Sequence, residues 1–300
     1  MAQGKTVRAE DWFNIALSHD TEGGDLSKAA AAYEKAVSLK PDFVEALNNL
    51  AFVYLRQENY TEAIDLFTRV VELEPGNPHA LNNLGFAYEK EGLLGAARQV
   101  YQRTLTVDPT NMEATLNLGF LAENAGDYIE AELRFKRAIE IDEGSVVAHF
   151  CLASVYDQMD RFDEAEKEYL RVIELDPSHT KAHFSLGYLY ASLGENDRAI
   201  HHFSRVLDIE PGNAKAYNNL GSVWEEKGNP DKARECYLKA IDLDPLHEEA
   251  HANLARLFYK DNEGNPDPEW RRELKGRLEL ILSINPKNRT ARSLMEKVRV

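Results

Sequence analysis

Two adjoining stretches, TKAHFSLGYLYASLGENDRAIHHFSRVLDIEPGN (180–213) and AKAYNNLGSVWEEKGNPDKARECYLKAIDLDPLH (214–247), share one pattern over 34 residues each. Both have leucine at position 7, glycine at 8 and 15, alanine at 20, an aromatic ring at 24 and proline at 32. Working outward with the same spacing, further units begin at Val44, Pro78, Met112 and Val146. A fixed period of this length is typical of a repeat array.

The recurring positions have a physical meaning. Small residues at positions 8 and 20 let two helices approach closely, and the ring at position 24 fills the space beside them. Glycine at position 15 suits a left-handed helix end. Asn59 and Asp127 are expected to cap the second helix of their units. Each unit is therefore predicted to be two packed helices with a short turn.

This pattern resembles that of the tetratricopeptide repeat (TPR) family, and the resemblance covers nearly the whole chain. It implies an all-α fold: a right-handed superhelical solenoid of seven helix-turn-helix repeats plus a C-terminal capping helix, with the first helices lining a concave face. The expected boundaries are 1–8 (N-terminal tail), 9–43, 44–77, 78–111, 112–145, 146–179, 180–213 and 214–247 (TPR units), 248–288 (a divergent TPR-like eighth unit) and 289–300 (capping helix). Pro286 follows Pro245 by 41 residues. We expect the seven extra residues in the turn around Asn262 to Asp267.

Asparagine recurs at position 6, in the part of the first helix that the family leaves free for ligands. An amide can donate and accept, so it can pair with the backbone of an extended peptide. The row resembles the asparagine ladder in the TPR superhelix of O-linked N-acetylglucosamine transferase, although no catalytic domain is recognised here. The alternative is that these amides bond only between helices, and Cys151 and Ser185 interrupt the row. The candidate peptide-binding amides are Asn49, Asn83, Asn117, Asn219 and Asn253.

Aromatic rings recur at positions 5 and 9, where packing of the helix pair does not need them. Apolar side chains on such a face usually mark an interaction surface. The alternative is that neighbouring first helices bury the rings against each other. The candidate peptide-binding rings are Phe52, Phe86, Phe120, Phe150, Phe184 and Tyr188.

The charge distribution restricts the class of ligand. The chain has a formal net charge of −16, which repels phosphate backbones and argues against nucleic acid. Beyond the first repeat, positions 2, 9, 12 and 13 of the first helices hold eight acids and six bases, a sum of only −2. Family members that clamp a C-terminal carboxylate have lysine at position 5 and asparagine at position 9, and neither is found here. A largely apolar peptide is therefore the expected ligand.

The sequence predicts no catalytic residues, no metal ligands and no cofactor. The pairs His179/His183 and His247/His251 have a spacing that could hold a metal, but position 4 is ordinarily a packing position. His201 and His202 are expected on a solvated face. There is no glycine-rich phosphate loop and no nucleophile-base-acid set. Two cysteines, no apolar signal segment and no membrane-spanning stretch favour a cytoplasmic location without membrane insertion.

These features favour a protein-protein interaction adaptor or scaffold that is not an enzyme. It is expected to bind an extended, largely apolar peptide segment in the concave groove. One alternative is a self-assembling scaffold, a homo-oligomer in which a terminal helix docks in a neighbouring protomer's groove. Another is a regulatory subunit of a separately encoded enzyme.

Overall fold

The computed structural model describes residues 7–265 and 269–298. Within these ranges the chain forms 17 α-helices and no strand, so the prediction of an all-α fold is confirmed. Most of the expected N-terminal tail, residues 266–268 of the expected insertion and Arg299 lie outside the described residues. The chain divides into two compact units, Met1–Met159 and Asp160–Val300, each of which is described by itself.

The first unit contains nine described helices that pack on their neighbours in chain order. Helices α3, α5, α7 and α9 each begin at the first residue of a 34-residue repeat. The helices are α1 (Ala9–His19), α2 (Leu26–Leu39), α3 (Val44–Arg56), α4 (Tyr60–Leu73), α5 (Pro78–Lys90), α6 (Leu94–Val107), α7 (Met112–Asn124), α8 (Tyr128–Ile141) and α9 (Val146–Gln158).

The second unit contains eight described helices with the same neighbour-on-neighbour packing. We propose that each pair of a first and a second helix is one repeat, with the boundaries given above. The helices are α10 (Phe162–Leu175), α11 (Thr180–Ser192), α12 (Asn196–Ile209), α13 (Ala214–Glu226), α14 (Pro230–Leu243), α15 (Glu248–Asn262), α16 (Glu269–Ile284) and α17 (Arg289–Val298).

Side chains at position 34, just before the first helices, cap their N-termini. The amide oxygens of Asn77, Asn111 and Asn213 accept from the backbone N–H of the third helical residue at 3.3, 3.0 and 3.0 Å. Of the two caps predicted for second helices, Asp127 accepts from the Glu130 amide at 3.2 Å. The prediction for Asn59 is wrong, because its side chain makes no cap hydrogen bond.

The turn between the two helices of a unit contains a left-handed residue at position 15. Four of these residues are glycines with φ between 74° and 80°, as the sequence predicted: Gly92, Gly126, Gly194 and Gly228. Glu58 and Asp160 adopt the same backbone conformation, with φ of 62° and 56°, although they carry a Cβ. The turn therefore requires the conformation and does not require glycine.

The last described helices differ from the 34-residue pattern. Helices α15 and α16 have 15 and 16 residues, against 13 and 14 in the preceding pair α13 and α14. Four of the seven extra residues therefore lengthen the helices, so the sequence prediction placed too many of them in the turn. Helix α17 packs Ala291, Leu294 and Met295 into a core with Leu274 and Leu278 of α16.

Candidate peptide-binding surface

We define the first-helix face as positions 2, 5, 6, 9, 12 and 13 of the first helices. Hydrogen bonds on this face link successive 34-residue repeats. In the first unit, Asn83 Nδ2 donates to Asn48 Oδ1 at 2.8 Å, and Ser154 Oγ donates to Glu123 Oε1 at 3.2 Å. In the second unit, Asn253 Nδ2 donates to Asn218 Oδ1 at 3.0 Å. Each unit therefore presents one surface that runs over several first helices.

The predicted rings of the first unit are neither fully buried nor free. Phe52 and Phe86 are 37% and 36% exposed, whereas Phe120 and Phe150 are half-buried. The ring of Phe52 packs edge-on against Phe67 with centroids 5.2 Å apart, and Phe120 makes the same contact with the position-24 ring of its unit. One side of these rings belongs to the fold, and the exposed part remains available to a ligand.

The predicted amides of the first unit bond to their own protein. Asn49 Nδ2 donates to the Tyr33 hydroxyl at 3.2 Å, and Asn83 Nδ2 donates to Asn48, as described above. The side chain of Asn117 faces the Tyr101 hydroxyl. Each primary amide has a second hydrogen and a carbonyl oxygen. Hydrogen bonds between helices, the alternative role considered for these amides, are therefore present. They also fix the direction in which each bonded amide points.

In the second unit, the predicted residues are dispersed over a more polar surface. Tyr188 is 62% exposed, and half-buried Phe184 packs edge-on against Phe203 at 5.6 Å. Asn219 Oδ1 accepts from the Asn218 amide at 3.4 Å, and Asn253 donates to Asn218. The predicted residues among these lie on α11, α13 and α15, and Phe203 lies on α12.

The charges on the first-helix face differ between the units. From α3 to α9 the face has five acids and two bases, a sum of −3, and from α11 to α15 it has three acids and four bases, a sum of +1. In the second unit, Glu225 accepts from Arg256 at 2.9 Å and from Lys260 at 2.7 Å. Burial alone would raise the pKa of Glu225, but these two hydrogen bonds outweigh it and lower the pKa. Two of the four bases are thus already paired with this single carboxylate.

Two models of the tetratricopeptide repeat match the chain. One matches residues 21–78, 53–111, 82–146 and 152–214, and the other matches residues 214–246. Together they cover well over half of the sequence. The chain belongs to the tetratricopeptide repeat family. Among curated proteins, none matches the chain.

Several solved TPR structures resemble the chain. MamA is 28% identical over 56% of this chain and 92% of its own, with a TM-score of 0.53. YrrB, described as a TPR protein with an unusual peptide-binding site, is 27% identical over 61% of this chain and 95% of its own, with a TM-score of 0.54. The C-terminal part of a TPR repeat-containing protein from Cytophaga hutchinsonii supports the fold alone, at 19% identity, 81% and 97% coverage and a TM-score of 0.65.

Four histidines of this TPR chain cap helices or pack between them. The Nδ1 atoms of His179 and His247 accept from the Ala182 and Ala250 amides, at 3.1 and 3.4 Å, and so cap α11 and α15. The expectation of a solvated His202 is wrong, since this side chain is 8% exposed and its Nδ1 lies 3.1 Å from Nδ1 of His183. In the described part of the chain, no three His, Cys, Asp or Glu side chains are grouped to hold a metal ion.

Sequence reasoning missed one feature of the TPR surface. A cavity of about 370 Å³ in the second unit is bounded by predicted residues Phe184 and Asn219, by His247, and by Leu246 and Ile284, which no pattern singled out. Leu246 and His247 precede α15, and Ile284 ends α16. Their proximity depends on the packing of the unusual last helices, which the 34-residue period does not describe.

None of the described helices is long and apolar enough to cross a membrane.

Proposed function

We propose that this TPR chain is an adaptor or scaffold that binds an extended, largely apolar peptide segment along the first-helix face. TPR arrays mediate protein-protein interactions and are typically not catalytic. The exposure of Phe52 and Phe86 carries the proposal, because the helix pair has its own buried ring at position 24 and does not need these two. Exposed rings beside polar amides are typical of peptide-binding surfaces.

The amides support the same proposal. Asn49 and Asn83 each use one amide hydrogen within the fold, which leaves a second hydrogen and a carbonyl oxygen for a peptide backbone. Because the fold already orients them, a ligand does not have to order these side chains, which lowers the entropic cost of binding. The relative YrrB, described as having a peptide-binding site, agrees with this interpretation.

The test uses peptides selected for binding to the full chain from a random peptide library. We expect the double substitution Phe86→Ala and Phe120→Ala to weaken these peptides at least tenfold, since well-packed aromatic contacts typically contribute more than about 1 kcal/mol each. Isothermal titration calorimetry gives the affinity, and thermal denaturation shows whether the variant is folded. Ile129→Ala with Leu133→Ala is the matched control, because both side chains are apolar and exposed on α8.

A folded double variant with unchanged affinity would contradict the proposal. Light scattering over a range of concentrations separates a foreign ligand from self-assembly. If the chain is its own ligand, the measured mass rises with concentration and the Phe86/Phe120 variant suppresses the rise. Copurification of an enzyme that depends on the same rings would instead favour a regulatory subunit.

A further inference from the structure

Helix α8 has two large apolar side chains on its solvent-exposed side, Ile129 and Leu133, which we term the apolar pair. They are 69% and 58% exposed and occupy positions 18 and 22 of their repeat. The other five regular repeats have only polar residues or glycine there: Thr61, Gly95, Asp163, Asp197 and Asp231 at position 18, and Asp65, Gln99, Lys167, His201 and Glu235 at position 22. The apolar pair therefore does not serve the packing that the repeats share.

The apolar surface continues beyond α8. Leu133 forms one wall of a groove of about 450 Å³, which Leu105, Pro109 and Thr115 also line. None of these residues is on the first-helix face, since Leu105 lies on α6, Pro109 lies in the turn before α7, and Thr115 occupies position 4. A contiguous exposed apolar surface usually marks an interaction site. A side chain that packs on Leu133 can also be buried in this groove.

The charges of α8 are divided at Leu133. The two acids just before it are Glu130 and Glu132, and the three bases just after it are Arg134, Lys136 and Arg137. With about 3.6 residues per turn, Glu130 and Arg137 lie on one flank of the apolar pair, and Glu132 and Lys136 lie on the other. Each flank thus has an acid towards one end and a base towards the other. The helix is therefore complementary in charge to an antiparallel copy of itself, whereas a parallel copy would bring like charges together.

We infer that α8 is the contact surface of a symmetric dimer, in which two copies of the chain pack this helix antiparallel about a two-fold axis near Leu133. The Leu133 side chains meet at the centre, and Ile129 packs on the aliphatic stem of the partner's Arg137. Glu130 faces the partner's Arg137, and Glu132 faces the partner's Lys136. Each contact occurs twice, as the symmetry requires. Because this surface is not the first-helix face, the inference is independent of the proposed function.

The ion pairs within α8 are compatible with this arrangement. Arg137 pairs with Glu140 at 2.8 Å, and the two side chains are 45% and 65% exposed. Exposed pairs of this kind contribute little to stability, so Arg137 can change partner at small cost. The charges determine the direction of packing, and the burial of the apolar pair supplies most of the favourable free energy.

Light scattering of the full chain over a wide range of concentrations tests the inference. We expect the mass to rise from 34.0 kDa to twice that value and then to stay constant. Ile129→Ser with Leu133→Ser should weaken the dimer at least about tenfold, because both apolar contacts are lost. The matched control is Leu238→Ser, since Leu238 is 49% exposed on the second helix α14, and it should leave the dimer unchanged. Thermal denaturation shows whether each variant is folded.

An exchange of charges tests the antiparallel arrangement. Glu130→Arg alone and Arg137→Glu alone should each weaken the dimer, because each variant sets like charges against each other at two places. An equimolar mixture of these two variants should form a mixed dimer about as tight as that of the unmodified protein, since every arginine then faces a glutamate. This mixture keeps the apolar pair, so it decides the question even if the serine variant does not fold.

Four outcomes would overturn the inference. The first is a monomeric mass at every concentration. The second is a dimer that the folded serine variant does not weaken, and the third is a mass that continues to rise beyond two copies, which would indicate an open heterologous contact. The fourth is a mixture that associates no better than its two components. None of these results decides the proposed function, which the affinity of the selected peptides tests through Phe86 and Phe120.

Discussion

The buried contact between His183 and His202 makes the stability of the second unit sensitive to mild acid. His183 Nε2 lies 3.2 Å from the Pro177 carbonyl oxygen and donates to it. His183 Nδ1 is then unprotonated and accepts from His202 Nδ1 at 3.1 Å. The His202 ring also stacks on Tyr190 at 5.4 Å. Both histidines are therefore satisfied only in their neutral forms.

The lowered pKa of His202 determines how much folding stability is lost in acid. Burial lowers it from 6.5 to about 4, with smaller contributions from His183, His201 and Arg198. Burial also lowers the pKa of His183, with Arg205 among its charged neighbours. Between pH 6.5 and 4 the unfolded chain binds one more proton at His202 than the folded chain does. The stabilisation is thus complete above pH 6.5 and is lost as the pH falls towards 4.

The magnitude follows from linkage. Between pH 7.5 and 5, the difference between a pKa of 6.5 unfolded and about 4 folded lowers the free energy of unfolding by about 2 kcal/mol. His202→Leu should abolish this part of the pH dependence. Leucine occupies the same position in an earlier unit, as buried Leu66, so the substitution is compatible with the repeat. The control is His201→Gln, because His201 is exposed on the same helix.

Two measurements check this prediction. Ring carbon signals of the histidines, followed by NMR from pH 8 to 4, should show His202 titrating last and only near the acid limit. Urea unfolding at pH 7.5 and 5 should show a smaller loss of stability for His202→Leu than for the unmodified protein or His201→Gln. A His202 signal that titrates near pH 6.5 would refute the reasoning, as would an unchanged pH dependence in His202→Leu.

Two further predictions concern the packing of the repeats. Gly119→Ala should destabilise the chain by up to about 2 kcal/mol, because its Cβ would lie 2.6 Å from a ring carbon of fully buried Phe135. Gly276→Ala should stabilise α16 by up to about 1 kcal/mol, because the added Cβ would have no atom within 4 Å. Urea unfolding measures both variants, and Gly276→Ala less stable than Gly119→Ala would contradict this prediction. Burial raises the pKa of the Cys151 thiol to about 12, so labelling by Ellman's reagent at pH 8 should require denaturant; rapid labelling of the native protein at Cys151 would be inconsistent with the packing.

Much of the fold could be predicted because each packing position in a repeat has one dominant physical requirement. Leucine at position 7 is buried in all six regular units, and alanine at position 20 is fully buried in each. Position 15 was predicted through glycine, yet Glu58 and Asp160 show that the backbone conformation is what recurs. The lengths of α15 and α16 could not be predicted. Adding two residues to each helix lengthens the repeat in the same way as a longer turn does, and the sequence shows only the total length.

The candidate site was less predictable because spacing identifies a face but not the bonds made within it. Asparagines at position 6 were correctly placed on first helices, but a sequence does not show that Asn49 bonds to Tyr33 while Asn83 bonds to Asn48. Tyr33, the ring before Asn49, has a hydroxyl that accepts this bond, whereas Phe67, the ring before Asn83, has none. A hydroxyl does not decide the partner either, because Asn253 follows Tyr237 and donates to Asn218.

The same distinction applies to His247, which the sequence showed only as one of a spaced pair of histidines. Position 34 is a capping position, where asparagine, serine and histidine all cap a helix and appear interchangeable in the sequence. They differ in the second polar atom: asparagine directs it to an acid of its own loop, whereas Nε2 of His247 is buried without a hydrogen-bond partner in the described part of the chain. In a repeat protein, such differences are found by accounting for the bonds of each polar atom and not by departures from the pattern.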